Sequence, residues 1–185
     1  MSTNSPIVTL AVPLQPTDHR LGAEHARVTV VEYADFECPT CKLAAPTVKM
    51  LLDQFPSQIC FAYRHFPLAE AHPHALLAAE ASESAAGQGK FWAMHDLLFR
   101  NQEHLKDKDL RRYAAALDLE MARYTAEMDD HIYLQRVREH IDSGRRSYIR
   151  ATPTFFVNGV VQDISFGMQA LHSAVEAAVR RAHHI

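Results

Sequence analysis

Two cysteines separated by Pro39 and Thr40 are the residues of this chain best suited to covalent chemistry. They follow an apolar run, VTVVEYADFE, that starts at Val28 and ends directly before Cys38. A cysteine at the entrance of a helix lies beside unpaired backbone N–H groups, where the helix dipole favours a negative charge. We therefore predict that Cys38 is the nucleophilic thiolate. Cys41, one helical turn later, is placed to attack a mixed disulfide on Cys38 and to release the partner.

A structural zinc half-site is the competing interpretation of the two cysteines. Zinc takes four ligands. The third cysteine, Cys60, lies in a predicted strand, and no second Cys-x-x-Cys or His-x-x-x-His pattern completes a set. We therefore predict redox chemistry and no metal site, with Cys60 as a buried core thiol. No bound cofactor is expected, because electrons pass through the sulfur atoms themselves.

The residues around Cys38 set how easily its thiolate forms. The dipeptide Pro39-Thr40 is expected to dominate, because its side chains and N–H groups surround the sulfur. Asp35 and Glu37, just before the cysteine, are expected to be solvated loop charges. Their negative field would weakly oppose the thiolate, against the helix dipole.

A strand, a sharp turn and a helix must hold the two cysteines in place. The segment Arg27 to Ala34 is β-branched and apolar, which predicts a strand buried on both faces. From Pro39 onward apolar residues recur at helical intervals, which predicts a helix that ends before Pro56 and bends at Pro46. Ile59 to His65 predicts a second strand, which a right-handed crossover would place parallel to the first.

The rest of the chain is a helical block followed by a return to β structure. From Pro73 to about Tyr148 the spacing of apolar residues predicts five helices, without the fixed repeat of a solenoid. Thr154 to Val157 and Val160 to Ile164 flank Asn158-Gly159, which predicts an antiparallel hairpin. Met168 to Ala182 predicts a closing amphipathic helix.

This order of elements, βαβ, five helices and ββα, predicts an α/β protein with a helical insertion. We assign residues 27–71 and 149–185 to the sheet-containing core and residues 72–148 to the inserted helical subdomain. Residues 1–26 are assigned to a polar lead-in, in which residues 7–11 alternate as a short edge strand would.

The composition is that of an ordinary globular protein. With 185 residues, 48% of them hydrophobic and 22% charged, the chain can bury a substantial core. A formal net charge of -3 without a polybasic run argues against nucleic acid as a partner. The N-terminal residues show neither a signal-peptide pattern nor a membrane span. We therefore expect no membrane partner and a cytoplasmic location.

Four motifs make the chain similar to a known family. They are Asp18-His19-Arg20-Leu21-Gly22, the run from Glu32 to Cys41, the turn from Arg64 to Leu68 and the strand from Thr152 to Gly159. Together they resemble the DsbA-like branch of the thioredoxin superfamily, of the Thioredoxin_4 type, over roughly Asp18 to the C-terminus. The resemblance implies a thioredoxin fold with a helical insertion subdomain.

The resemblance also implies roles for residues outside the cysteine pair. Pro153 is expected to be a cis proline facing the cysteines, so that an extended substrate can pair with the backbone of Thr152. Glu32 stands at the position of the family's buried acid, six residues before the first cysteine. A carboxylate in an apolar strand is costly to ionise, so Glu32 could take and return the proton of Cys41. A structural carboxylate, paired with a lysine or a backbone group, is the alternative.

The dipeptide between the cysteines departs from the strongly oxidising members of the family. Those members carry His where this chain has Thr40. Without that cation the reduced form is less stabilised, so we expect a milder oxidant or a reductant. Pro39 and Thr40 are expected to contact substrate together with Thr152 and Pro153.

The predicted function is therefore thiol–disulfide exchange with protein substrates. One alternative is a non-catalytic redox-sensing or partner-binding module, and another is a glutathione-dependent enzyme on the same fold, which would not need the second thiol. The expected partners are protein thiols or disulfides, with glutathione or a thioredoxin-type reductant in support. The chain is expected to be a monomer or a weak homodimer.

Overall fold

The computed structural model describes residues 8–183 as a mixed α/β protein. In this part of the chain the strands are β1 (His19–Gly22), β2 (Val28–Ala34), β3 (Ile59–His65), β4 (Thr154–Val157) and β5 (Val160–Gln162). The helices are α1 (Pro39–Gln54), α2 (Ala75–Ala86), α3 (Phe91–Arg100), α4 (Asp107–Ala116), α5 (Met121–Asp129), α6 (Leu134–Arg146) and α7 (Gln169–His183). The predicted fold class, βαβ and ββα around five helices, is confirmed.

The five strands form one sheet in the order β1-β3-β2-β4-β5. The pairs β1 with β3, β2 with β4 and β4 with β5 are antiparallel. β3 is buried at every position, and β2 at every position except Thr29. The apolar, β-branched runs therefore form the middle of the sheet, as their composition predicts.

The hairpin between β4 and β5 turns at Asn158 and Gly159, which have φ values of 48° and 78°. Two consecutive positive φ values fit a type I′ turn, which follows the twist of the strands it joins. β5 ends at Gln162, two residues earlier than the pattern indicates. Helix α7 packs against both strands of the hairpin.

Strand β1 was missed by the sequence analysis. It pairs with β3 through the register His19↔Tyr63 to Gly22↔Cys60. The predicted edge strand at residues 7–11 is a single bridge, Thr9 to Val160, in the described residues, and residue 7 lies outside them. One residue of β1, Leu21, is a large apolar residue, so its sequence carries almost no period-2 signal.

A buried guanidinium fastens the N-terminal segment to the sheet. Arg64 Nε and Nη2 donate to the two carboxylate oxygens of Asp18 at 2.9 and 2.7 Å. Its remaining donors reach the carbonyls of Val12 and Pro13 and the hydroxyl of Tyr33, each within 2.9 Å. The side chains of Arg64 and Asp18 are both 2% exposed, so the charge of each residue is compensated by that of the other and not by solvent.

The described chain is organised as two compact units. The sheet unit comprises the described parts of Met1–Tyr33, Ala44–Arg64 and Ser143–Ile185. The helical unit comprises Ala34–Leu43 and His65–Asp142, so it contains the two cysteines as well as most of the inserted helices. Pro46 lies inside α1, which runs without interruption from Pro39 to Gln54.

Helix α2 is the centre of the helical unit, where it packs against α3, α4 and α5. Its buried face consists largely of alanine and serine, such as Ala78, Ala81 and Ser82. Such small side chains let neighbouring helices approach closely. Within residues 8–183, no helix combines the length and the hydropathy that a bilayer crossing needs.

Candidate active site

The two cysteines lie where a strand gives way to a helix. β2 ends at Ala34, the four residues 35–38 connect it to the helix, and α1 begins at Pro39. The carbonyl of Cys38 accepts hydrogen bonds from the N–H groups of Cys41 at 3.1 Å and Lys42 at 3.3 Å. Cys38 therefore occupies the N-cap position of α1, as the motif predicts. This placement puts its sulfur at the positive end of the helix dipole.

Neither cysteine forms a disulfide, and both are largely shielded from solvent. Cys38 is 5% exposed and Cys41 is fully buried. The Sγ of Cys38 lies 2.9 Å from the Oγ1 of Thr40, whose hydroxyl can donate to it. A hydrogen bond donated to the sulfur favours its charged form. Pro39 and Thr40 themselves are exposed, so this part of the motif is open to a substrate.

Gln102 is a residue of the site that sequence analysis missed. Its Nε2 donates to the carbonyls of Phe36 and Cys38, both at 2.8 Å. These two bonds clamp the turn immediately before α1. No periodic pattern marks Gln102, because it lies in the short connection between α3 and α4.

Phe36 anchors the same turn from inside the helical unit. It is 1% exposed, and its ring lies 5.0 Å from that of Phe99 and 5.7 Å from that of His95. The ring of His65 lies 5.9 Å away, and this histidine bonds Glu83 at 2.8 Å. His65 and His95 are thus buried histidines with hydrogen-bond partners, and the turn packs against an aromatic cluster.

Asp35 is not a solvated loop charge, and Glu37 is partly buried, so the expectation for this pair was wrong. Asp35 is 1% exposed, and its Oδ1 accepts the N–H of Glu37 at 2.7 Å. Its Oδ2 accepts the N–H of Leu68 at 2.8 Å and lies 2.7 Å from Nδ1 of His72. Glu37 Oε2 accepts the N–H of His74 at 2.7 Å. Both carboxylates are used as acceptors by the loop after β3, which a sequence pattern does not reveal.

His72 acquires a perturbed pKa from these contacts. Burial lowers the pKa of His72, but its hydrogen bond to Asp35 and the charge of Asp35 raise it more. The charges of Cys38 and Glu37 act in the same direction, and the net pKa lies above the ordinary 6.5. His72 is therefore more often an imidazolium at neutral pH than a free histidine would be.

The other predicted site residues belong to the sheet unit. Glu32 is 4% exposed on β2 and lies opposite Phe155 in the β2–β4 register. The Thr152–Pro153 peptide bond is cis, and Thr152 is 8% exposed. Tyr33, near the C-terminal end of β2, lies opposite Thr154, the first residue of β4. The Thr152–Pro153 dipeptide therefore lies at the end of the sheet where β2 ends.

Cys60 stands apart from this chemistry. It lies in β3, is 1% exposed and is free. Burial, as the main cause, raises the pKa of the Cys60 thiol. A buried neutral thiol is unreactive, and Cys60 is the core residue that the sequence predicts.

Comparison with protein families shows which family has this architecture. Residues 14–177 match the Thioredoxin_4 family model, described as thioredoxin. The match includes the Cys38–Cys41 motif, Glu32 and the Thr152–Pro153 dipeptide.

Several relatives that match nearly all of this chain are themselves much longer proteins. The chain is 45% identical over 177 residues to the Na(+)/H(+) antiporter NhaA 3 of Salinispora tropica, and the alignment covers 95% of this chain but 27% of that protein. It is 38% identical over 171 residues to the Na(+)/H(+) antiporter NhaA 1 of Mycolicibacterium vanbaalenii, covering 91% of this chain and 28% of that protein. The chain thus spans about a quarter of the length of these relatives.

Solved structures share the fold over nearly the whole chain. Oxidised BdbD from Bacillus subtilis gives a TM-score of 0.84 at 24% identity, covering 95% of this chain and 100% of that one. A thioredoxin-like oxidoreductase from Silicibacter pomeroyi gives 0.75 at 27% identity, covering 90% and 94%. With the family match, these likenesses establish that the chain belongs to the Thioredoxin_4 family and has the DsbA-like form of the thioredoxin fold.

Proposed function

We propose that this protein is a thiol–disulfide oxidoreductase that exchanges disulfides with protein substrates through its Cys-Pro-Thr-Cys site. The observation that carries the proposal is the position of Cys38 at the N-cap of α1, with the reduced thiol of Cys41 in the first turn of the same helix. The oxidoreductase name of the Silicibacter pomeroyi structure supports it.

The exchange proceeds in two balanced steps. The Cys38 thiolate attacks one sulfur of a substrate disulfide, which forms a mixed disulfide and releases the other substrate sulfur as a thiolate. Cys41 then loses its proton, attacks Cys38 and releases the second substrate sulfur. The substrate gains two electrons and the protein is left with a Cys38–Cys41 disulfide. The reverse sequence oxidises a substrate dithiol.

Two further roles complete the proposal. Glu32, a buried carboxylate on β2, is the proton acceptor for Cys41 during the second step. Thr152 and Pro153 precede β4 at the end of the sheet where β2 ends. There the backbone of an extended substrate segment can form hydrogen bonds with the backbone of Thr152.

Turnover of a model disulfide tests the proposal. Reduction of insulin by the wild type with a thiol reductant should be lost in Cys38→Ala, whereas the matched control Cys60→Ala should retain it. Turnover that persists unchanged in Cys38→Ala would remove the proposal. Turnover that is lost in Cys38→Ala but retained in Cys41→Ala would instead assign a glutathione-dependent, single-cysteine enzyme.

The antiporter relatives favour a second candidate function, a redox-sensing module that acts on a partner protein. This chain matches about a quarter of the length of proteins named as Na(+)/H(+) antiporters. A module of this kind would be oxidised once per chain, without turnover. Stoichiometric oxidation in the insulin assay, with no multiple turnover, would favour the sensor over the enzyme.

A further inference from the structure

The loop after β3, residues 66–74, is fastened to the motif by the acidic side chains that precede Cys38. Asp35 holds the N–H of Leu68 and the imidazole of His72, and Glu37 holds the N–H of His74. The side chain of Asp35 is 0% exposed and that of His72 is 20% exposed. A buried carboxylate with three donors has little freedom, so the imidazole bound to it is held in a defined position.

Asp35 also binds the nucleophile directly. Its backbone carbonyl accepts the N–H of Cys38 at 3.1 Å. One residue therefore joins the imidazole to Cys38, with its side chain on His72 and its main chain on the cysteine. His72 and Cys38, 34 positions apart in the chain, are thus linked through Asp35 by two hydrogen bonds.

The charges around His72 are complementary to it. Asp35, Glu37 and Cys38 are the charged groups that act on the imidazole, and all three favour its protonated form. An electrostatic interaction is reciprocal, so a thiolate that favours the imidazolium is favoured by it to the same extent. The imidazolium therefore favours the Cys38 thiolate as well as the carboxylate of Asp35, which holds the imidazole at 2.7 Å and the N–H of Cys38 through its carbonyl.

We propose that His72, held by Asp35, is a positioning residue that stabilises the Cys38 thiolate with its positive charge. The cation approaches from the loop after β3, whereas the position between the cysteines is occupied by the neutral Thr40. The inference rests on the proposed function only in that the stabilised thiolate is the one that performs the exchange.

Alkylation of Cys38 as a function of pH tests this assignment. Iodoacetamide reacts with the thiolate, so in a Cys41→Ala background the rate reports ionisation of Cys38. His72→Gln should raise the ionisation midpoint by about one pH unit, which slows alkylation about tenfold below the midpoint. His74→Gln, which leaves its backbone bond to Glu37 intact, should leave the midpoint unchanged, and His72→Lys should largely restore it. An unchanged midpoint in His72→Gln, or an equal shift in His74→Gln, overturns the inference.

A second measurement does not depend on the folding of a His72 variant. The pKa of His72, followed by NMR in the reduced protein, should fall when Cys38 is replaced by serine, because one of the charges that raise it is removed. An unchanged pKa overturns the inference. The insulin assay separates it from the proposed function: absent Cys38-dependent turnover refutes the function and leaves the alkylation result standing, whereas turnover with an unchanged midpoint refutes the role of His72 alone.

Discussion

Polar groups both near to Cys38 and distant from it in sequence hold Cys38 in place within the helical unit. The hydroxyl of Thr40 lies 2.9 Å from its sulfur, and the backbone carbonyl of Asp35 accepts its N–H. The side-chain amide of Gln102, 64 positions later in the chain, donates to its carbonyl. The nucleophile is thus held on three sides before any substrate arrives. Preorganisation of this kind keeps the reacting atom in place without a further entropic cost at the moment of attack.

Removal of the Gln102 clamp should loosen the turn. Gln102→Ala deletes two hydrogen bonds to the carbonyls of Phe36 and Cys38, so we expect a loss of about 1–3 kcal/mol in the free energy of unfolding. Insulin reduction should also slow. The matched control is Gln135→Ala, which removes an exposed amide and should change stability little. Urea denaturation measures the free energy of unfolding of both variants. Equal values for Gln102→Ala and Gln135→Ala would contradict a stabilising role of the two Gln102 hydrogen bonds.

The raised pKa of His72 makes its contribution to stability depend on pH. A group whose pKa is higher in the folded than in the unfolded state stabilises the fold fully below the unfolded value of 6.5. That contribution disappears as the pH rises through the folded value. The difference in unfolding free energy between the wild type and His72→Gln should therefore be larger at acidic pH than at alkaline pH. A difference that is constant, or that grows with pH, would contradict the sign of the shift.

The sequence identifies the cysteines of the site but not the residues that support them. Cys38 and Cys41 are recognisable because a short motif sits between a strand pattern and a helix pattern. Asp35, His72 and Gln102 meet only through tertiary hydrogen bonds between loops, and such contacts leave no periodic signal. Asp35 was read as a surface charge because its neighbours in sequence do not reveal its burial.

Among the elements, the β4–β5 hairpin depends on its turn chemistry. Gly159 has φ of +78°, and a Cβ at this position would meet no atom within 4 Å. The cost of Gly159→Ala is therefore only the backbone strain of a positive φ, about 1–2 kcal/mol. Thermal unfolding of the variant measures this cost. Unchanged stability would mean that the turn does not need a left-handed residue.

The N-terminal segment should be tied to the sheet by its buried ion pair. Asp18→Asn leaves the Arg64 guanidinium buried with an uncompensated charge, which we expect to destabilise the fold by about 3–5 kcal/mol. The control is Glu24→Gln, which breaks an exposed pair with Arg20 at 3.8 Å and should cost less than about 1 kcal/mol. Urea denaturation measures the free energy of unfolding of both variants. Similar losses in Asp18→Asn and Glu24→Gln would contradict the stabilising role of the Asp18–Arg64 pair.

The elements that sequence reasoning found are those with strong local patterns. β3 and β4 have the bounds that their apolar runs predict, and the five helices predicted between them are present. β1 was missed because its four residues have little pattern of their own. Its place is fixed by the free edge of β3 and by the Asp18–Arg64 pair just beside it.

At the scale of the whole molecule, the dipeptide between the cysteines predicts the reduction potential of the Cys38–Cys41 couple relative to that of DsbA. Thr40 is neutral, and the cation that we propose for Cys38, the imidazolium of His72, lies outside the dipeptide. We expect the Cys38–Cys41 couple to be less oxidising than DsbA, with a potential more negative than about -120 mV in a glutathione titration. A potential at or above that value would mean that the dipeptide does not set the redox poise.

Trapping a mixed disulfide is the most direct test of disulfide exchange through Cys38. The Cys41→Ala variant, incubated with a disulfide-bonded peptide, should accumulate a covalent adduct that mass spectrometry locates on Cys38. The Cys38→Ala variant should form none, because the fully buried Cys41 cannot make the first attack. An adduct on Cys41 or Cys60 instead, or no adduct in Cys41→Ala, would contradict the account.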